Sequence, residues 1–98
     1  MTFEWDENKA VDNERKHDGV TFKESAETFL DANAVEDYDG EHSDAEEIRY
    51  LRIGNSSKRL LRVSFPVRNV ETDDEIIRII SARKGKAEEE EIYYEQNR

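Results

Sequence analysis

The chain predicts an α+β fold, two N-terminal helices and a short C-terminal helix packed on a mainly antiparallel sheet, and three stretches carry that prediction. Residues 22–30 set Phe22, Ala26, Phe29 and Leu30 at helical spacing. Residues 48–53 and 58–67 are two strand-like runs around Gly54-Asn55-Ser56-Ser57, a hairpin signal. Residues 77–86 are the most apolar run, rich in isoleucine and free of acids. Helices therefore come mainly before strands rather than alternating with them, which separates α+β from α/β.

The elements follow in order. Residues 2–5 alternate apolar and polar around two aromatics, as an edge strand does. Asp6 then caps a helix over 6–17, with Glu7 in its first turn. Lys9, Asn13 and His17 share one face of it at i, i+4 and i+8, with Lys16 beside them. Only Ala10 and Val11 are apolar, so this helix is held by its neighbours. Asp18-Gly19 is a turn, and Thr21 with Glu24 three residues on fits a capping box for the second helix, 22–30, whose apolar stripe reads as core. Residues 31–45 are polar and acidic, with a weak strand over 34–38 and His42-Ser43 in a surface loop.

In the second strand of the hairpin Leu61, Val63, Phe65 and Val67 share one face and Leu60, Arg62 and Ser64 the other, with Pro66 marking an end or an edge. Residues 71–75 form an acidic turn. Residues 77–86 are apolar on both faces, as a central strand should be, yet carry Arg78 and Arg83, which must reach a surface or an anion because burying an unpaired guanidinium is costly. Gly85 ends the strand. A final helix over 86–95 exposes Glu88 to solvent along with Glu89, Glu90 and Glu91, and packs back Ile92 and Tyr93 or Tyr94.

Composition narrows function. The 98 residues suffice for one domain, spanning 1–98, with one modest core. With 35% hydrophobic residues, 41% charged and a net charge of −10 the chain lies near the disordered boundary, but its apolar residues cluster in periodic runs. It has no cysteine, hence no disulfide or thiolate metal site, and nothing like a signal peptide or a membrane-spanning run, so the expectation is a soluble, cytoplasmic protein. The charge is split. Residues 1–47 hold 16 acids and 4 bases, whereas 48–70 hold 6 bases and 76–87 hold 4, neither with an acid. The acidic total argues against nonspecific nucleic-acid binding, which phosphate contacts dominate. Localised basic islands still form an anion site, because salt confines fields to about 10 Å.

No phosphate-binding glycine loop, nucleophile elbow or metal-ligand spacing is present. What remains is an inventory of cations and imidazoles: Lys9, His17, His42, Arg49, Arg59, Arg78 and Arg83, with Tyr93 and Tyr94 near the end. Metal-free RNA cleavage needs little more. A base takes the 2′-hydroxyl proton, an acid protonates the 5′-oxygen, and cations stabilise charge on the phosphoryl group. Histidine suits the proton transfers and arginine the phosphate.

A set of short motifs sharpens this inventory. Phe3-Glu4-Trp5-Asp6-Glu7-Asn8-Lys9, Asn13, Lys16-His17 and Gly19-Val20-Thr21-Phe22 resemble the opening of the BrnT family of toxins. His42-Ser43, Glu46-Glu47 with Arg49, Gly54 with Ser56, Arg59-Leu60-Leu61, residues 77–83 and Tyr94-Glu95 continue the resemblance in order along nearly the whole chain. It implies a RelE-like fold and the ribonuclease half of a type II toxin–antitoxin pair, sequestered by a co-encoded, BrnA-like antitoxin that also binds operator DNA. DNA is then met only through that partner, no cofactor or membrane is involved, and a homodimer or a toxin–antitoxin hetero-oligomer is the expected assembly. The resemblance implies that Lys9, His17, Arg59 and Arg83 line the RNA site. His17 is the proton-transfer candidate and the other three stabilise phosphate, with Glu47 or Tyr94 as a second proton-transfer group.

The chain departs from the family pattern in four places. Asp18 is inserted between Lys16-His17 and Gly19, the loop from His42-Ser43 to Arg49 is one residue longer, Lys58 replaces a glycine, and four glutamates follow Ala87 where the family has arginines. Those acids repel RNA if they flank its groove. Two other readings follow: a weakened family member acting as a partner-binding module, and, outside the family, an acidic interaction domain.

Overall fold

The computed structural model describes residues 1–67 and 75–98, so the acidic turn expected over 71–75 lies almost wholly outside the described residues. The element order is β1 (Thr2–Glu4), α1 (Glu7–Lys16), α2 (Phe22–Glu27) with a 3₁₀ turn (Thr28–Leu30), β2 (Val35–Tyr38), β3 (Ile48–Asn55), β4 (Leu60–Val67), β5 (Ile76–Arg78), β6 (Ser81–Lys84) and α3 (Ala87–Gln96). The architecture is α+β as expected. A four-stranded antiparallel sheet, β2-β3-β4-β6, accompanies a small parallel pair, β1-β5.

Local chemistry explains the helix starts. Asp6 accepts from the N–H groups of Asn8 and Lys9, and Thr21 Oγ1 accepts from Glu24 N–H. The second helix tightens into its 3₁₀ turn after Glu27, earlier than the sequence suggests. That turn swings Leu30 out to 85% exposure, so Leu30 leaves the expected core stripe. Phe22 remains, fully buried with Val20, Leu61, Val63, Ile79 and Ala82 between the helices and one face of the sheet. The expected alternation of β4 holds, with Leu61, Val63 and Phe65 buried on the same face. Phe29 joins them through Phe65, ring centroids 5.1 Å apart.

The run read as one central strand is two short ones. Ile79 N–H donates to Glu4 O of the small pair, and the very next amide, Ile80 N–H, donates to Ser64 O of the large sheet. The chain passes between sheets at that point, which is why both of its faces are apolar. β6 is then an outer strand, not a central one. Its open edge is closed by a side chain: buried Asn13 of α1 accepts from Ala82 N–H at 3.0 Å and donates to Ala82 O at 2.8 Å and to Val20 O at 3.0 Å. Asn13 thus mimics a strand partner and ties α1 to the sheet. Pro66 sits within β4 but beyond the reach of β6, whose pairing stops at Ser64.

The other face of the sheet carries Arg49, Leu51 and Ile53 of β3, Arg62 and Ser64 of β4, and Ser81 and Arg83 of β6. α3 lies against part of this face, with Glu89, Ile92 and Gln96 beside Leu51, Ile53 and Arg62. Tyr93 fastens the helix by donating its hydroxyl to Asp31 at 2.8 Å. Of the two tyrosines Tyr93 is the one that packs back and Tyr94 is exposed, while Ile92, expected to pack beside it, is nearly half exposed.

Candidate functional site

Of the six residues singled out from sequence, two come together directly. His17 ends α1 as its C-cap, and Arg83 projects from β6, and both line a cleft of about 350 Å³ with Lys16, Asp18, Lys84 and Lys86. Asp18 adopts a left-handed conformation (φ 52°) followed by Gly19 (φ 73°), and this double reversal folds the chain back beside His17. In a protein of net charge −10, a cleft with four cations, an imidazole and one acid is a local reversal of sign.

Arg59 reaches this cleft only indirectly. Its Nε and Nη2 donate to the two carboxylate oxygens of Glu24, at 3.1 and 2.9 Å, and its Nη1 donates to Asp18 O at 3.2 Å. Glu24 is buried and also accepts from Ser56 Oγ. Burial pushes its carboxyl up, but the Arg59 and Ser56 hydrogen bonds outweigh that and hold it below the usual glutamate value. Glu24 was expected to complete a capping box; it serves the hairpin instead.

Arg83 is also engaged. Its Nη1 and Nη2 donate to Glu89 Oε1 and Oε2 at 2.7 and 3.0 Å, a bidentate pair with little solvent access. Arg83 draws the Glu89 carboxyl below its usual value against the opposing effect of burial, and the N–H of Lys86 adds to the lowering. The expectation of an exposed acidic block is therefore corrected at Glu89, which turns inward to an arginine on the sheet.

The remaining three stand apart. Lys9 is exposed on α1, eight residues and so about 12 Å along the helix axis from His17. Glu47 pairs with Arg49 at 2.7 Å at the start of β3. Tyr94 is exposed, edge-on to Tyr93. Arg78, which the sequence left unassigned, faces Glu4 at 3.5 Å.

Sequence reasoning passed over Arg62. Register sets it directly opposite Arg83 on the α3-facing side of the sheet, with Arg49 contributed to the same side by the neighbouring strand. The three arginines form a diagonal row: Arg62 is opposite Arg83, and Arg49, opposite Pro66, lies four residues or about 13 Å further along the strands. The signal was present in the alternation Leu60-Arg62-Ser64, but strand order is needed to see the row. His42 stands at its far end, beside Arg49 and Arg62.

Comparison with protein families decides the affiliation. The model of the family described as the ribonuclease toxin, BrnT, of type II toxin–antitoxin systems matches residues 5–89. The chain belongs to the BrnT family. BrnT proteins are ribonuclease toxins, so an RNA target and an antitoxin partner are implied. His17, Arg59, Arg83 and the Glu89 that holds Arg83 all fall within the match, whereas Tyr94 lies beyond it. No curated protein matches the chain.

Proposed function

We propose that this BrnT-family chain is an RNA-cleaving toxin whose substrate lies along the arginine row, with its backbone entering the cleft of His17 and Arg83. The carrying observation is the reversal of charge there: Lys16, His17, Arg83, Lys84 and Lys86 converge on one cleft of an acidic protein. Cleavage is metal-independent, by attack of the 2′-hydroxyl on the adjacent phosphate, and it stops translation by destroying RNA. The fold is RelE-like, the chain acts as one domain in the cytoplasm, and a co-encoded BrnA-like antitoxin neutralises it in a hetero-oligomer. Arg83 stabilises phosphate, His17 is the proton-transfer group of this cleft, and Lys9, too far for the reacting phosphate, meets the RNA further along. Arg59 holds the turn that follows His17. Glu47 and Tyr94 remain the less favoured proton-transfer groups.

The test is induction of the wild type beside Arg83→Ala, with growth followed and RNA from both cultures run on a gel. The same proteins are then given RNA in EDTA. Arrest and RNA loss with the wild type alone are expected. Intact RNA from folded wild-type protein in both settings sinks the ribonuclease reading.

One observation favours the second reading, a weakened member kept for partner binding. Arg83 and Arg59 are each clasped by a carboxylate of the chain itself, so RNA must displace Glu89 to use Arg83.

A further inference from the structure

The α3-facing side of the sheet has another cleft, of about 270 Å³, at the end of the arginine row away from His17. Its lining includes Asp39, His42, Arg49, Arg62, Ser64 and Ser81. Register builds the floor, since Ser64 stands opposite Ser81 as Arg62 does opposite Arg83. A loop builds the wall and is stitched to β3. Asp39 N–H donates to Arg49 O at 2.9 Å, Ser43 Oγ donates to Asp39 O at 2.6 Å, and Arg49 N–H donates to Ser43 Oγ at 2.8 Å.

Within that wall Asp39 is buried, and His42 Nδ1 lies 2.9 Å from its Oδ2. A carboxylate only accepts, so the ring donates from Nδ1, and in the neutral imidazole the lone pair is then on Nε2. The imidazole is 57% exposed, so a buried acid fixes the tautomer and orientation of a ring that solvent and substrate can reach. A surface histidine beside an aspartate is ordinary by itself. Here two guanidiniums share its cleft. Arg49 gives Nε to Glu47 at 2.7 Å, which leaves its terminal nitrogens, and Arg62 has no carboxylate within salt-bridge distance among the described residues, although its charge is felt by Glu89. An imidazole with one free nitrogen beside two forked cations and two hydroxyls is equipped for a phosphodiester.

We propose that His42 is the general base of RNA cleavage, with Asp39 as its positioning residue and Arg49 and Arg62 on the scissile phosphate. The inference rests on the ribonuclease reading, and it moves proton abstraction from His17 to the opposite end of the row. His42 Nε2 takes the 2′-hydroxyl proton, and the 2′-oxygen forms a bond to phosphorus. The P–O5′ bond breaks with its electron pair on the 5′-oxygen, which takes a proton from water. The products are a 2′,3′-cyclic phosphate and a 5′-hydroxyl end. The cleft of His17 and Arg83 then grips a neighbouring phosphate of the same strand.

The test uses the full chain in EDTA with a pool of single-stranded RNA oligonucleotides of randomised sequence, kcat and KM being measured separately. His42→Ala is expected to lose about 100-fold or more in kcat with KM little changed, and added imidazole to restore part of it. Asp39→Asn should lower kcat by roughly tenfold while KM stays within about twofold, as expected when the base is mis-set rather than removed. His42→Gln keeps a donor for Asp39 but no base, so it decides the matter if His42→Ala fails to fold: a kcat loss at unchanged KM supports the assignment. A folded His42 variant cutting at the wild-type rate overturns it, leaving the ribonuclease reading intact. Loss confined to KM, or a loss in folded His42→Ala that imidazole does not restore, also overturns it. A wild type that cuts nothing removes the ribonuclease reading and this inference together.

Discussion

Two arginine–carboxylate pairs, Arg59–Glu24 and Arg83–Glu89, share one chemistry and differ in what surrounds them. Both are bidentate, with N–O distances of 2.7–3.1 Å. Glu24, however, is buried in α2 and further bound by Ser56, while Arg59 also holds the Asp18 carbonyl, so the pair joins helix, hairpin and turn. Glu89 belongs to the first turn of a terminal helix, and among the described residues its carboxylate hydrogen-bonds beyond Arg83 only to the N–H of Lys86, with the Arg62 charge nearby. The first pair is enclosed by elements that cannot move apart without unfolding. The second opens if one helix shifts. An identical ion pair is thus frame in one place and a removable cover in the other.

The sharpest way to break this contrast is to remove the two arginines in turn. Arg59→Ala leaves Glu24 buried without its cation, and breaking such a pair costs about 3–5 kcal/mol. A large fall in thermal midpoint is expected, together with loss of activity. Arg83→Ala strands a less enclosed carboxylate near the surface and should cost roughly 1–2 kcal/mol while abolishing cleavage. Comparable midpoints for the two variants in thermal denaturation would erase the distinction.

The next effect is on binding. Glu89→Gln keeps an oxygen for the Lys86 N–H, so the start of α3 survives. It loses the charge that competes with phosphate for Arg83. Affinity for RNA is expected to rise roughly threefold to tenfold at low salt, the gain shrinking as salt increases. Unchanged affinity in a titration of fluorescent RNA would mean that Glu89 does not obstruct the row. Acid makes the same point through stability. Both glutamates are held below the ordinary value of 4.5, so the unfolded chain binds protons more readily. What the pairs contribute is present above that value and lost as pH falls through the lowered ones. Glu89→Gln should flatten part of that loss.

Much of this architecture is legible in local pattern, and its failures are non-local. Asp6 and Thr21 cap helices as their positions demand, and the alternation of Leu61, Val63 and Phe65 gives the buried face of β4 directly. Residues 77–83 keep the period of a strand throughout, but nothing in that period says that the hydrogen-bond partner changes between Ile79 and Ile80. A block of four glutamates likewise reads as solvated; that Glu89 faces Arg83 depends on how α3 lies across a sheet the block does not belong to. The nearness of His17 to Arg83 was implied by family resemblance rather than by spacing. The row through Arg62 needed strand order, and the coupling of Asp39 to His42 needed the fold of a loop that looks merely acidic.

Leu30 gives the smallest effect and a clean check on how the second helix ends. Had the α-helix run on with its stripe intact, Leu30 would sit in the core beside Phe29, and replacing it with serine would remove a buried side chain worth about 2 kcal/mol or more. The 3₁₀ turn instead leaves it 85% exposed, lining an apolar surface groove with Phe3 and Ala26. Leu30→Ser should therefore shift stability by no more than about 0.5 kcal/mol in urea denaturation. A loss near the core value would restore the uninterrupted helix, and with it a different path for Asp31, whose carboxylate receives Asn55 N–H and the Tyr93 hydroxyl. Because Tyr93 is the buried anchor of α3, the end of the second helix fixes how firmly the Glu89 cover lies on the arginine row.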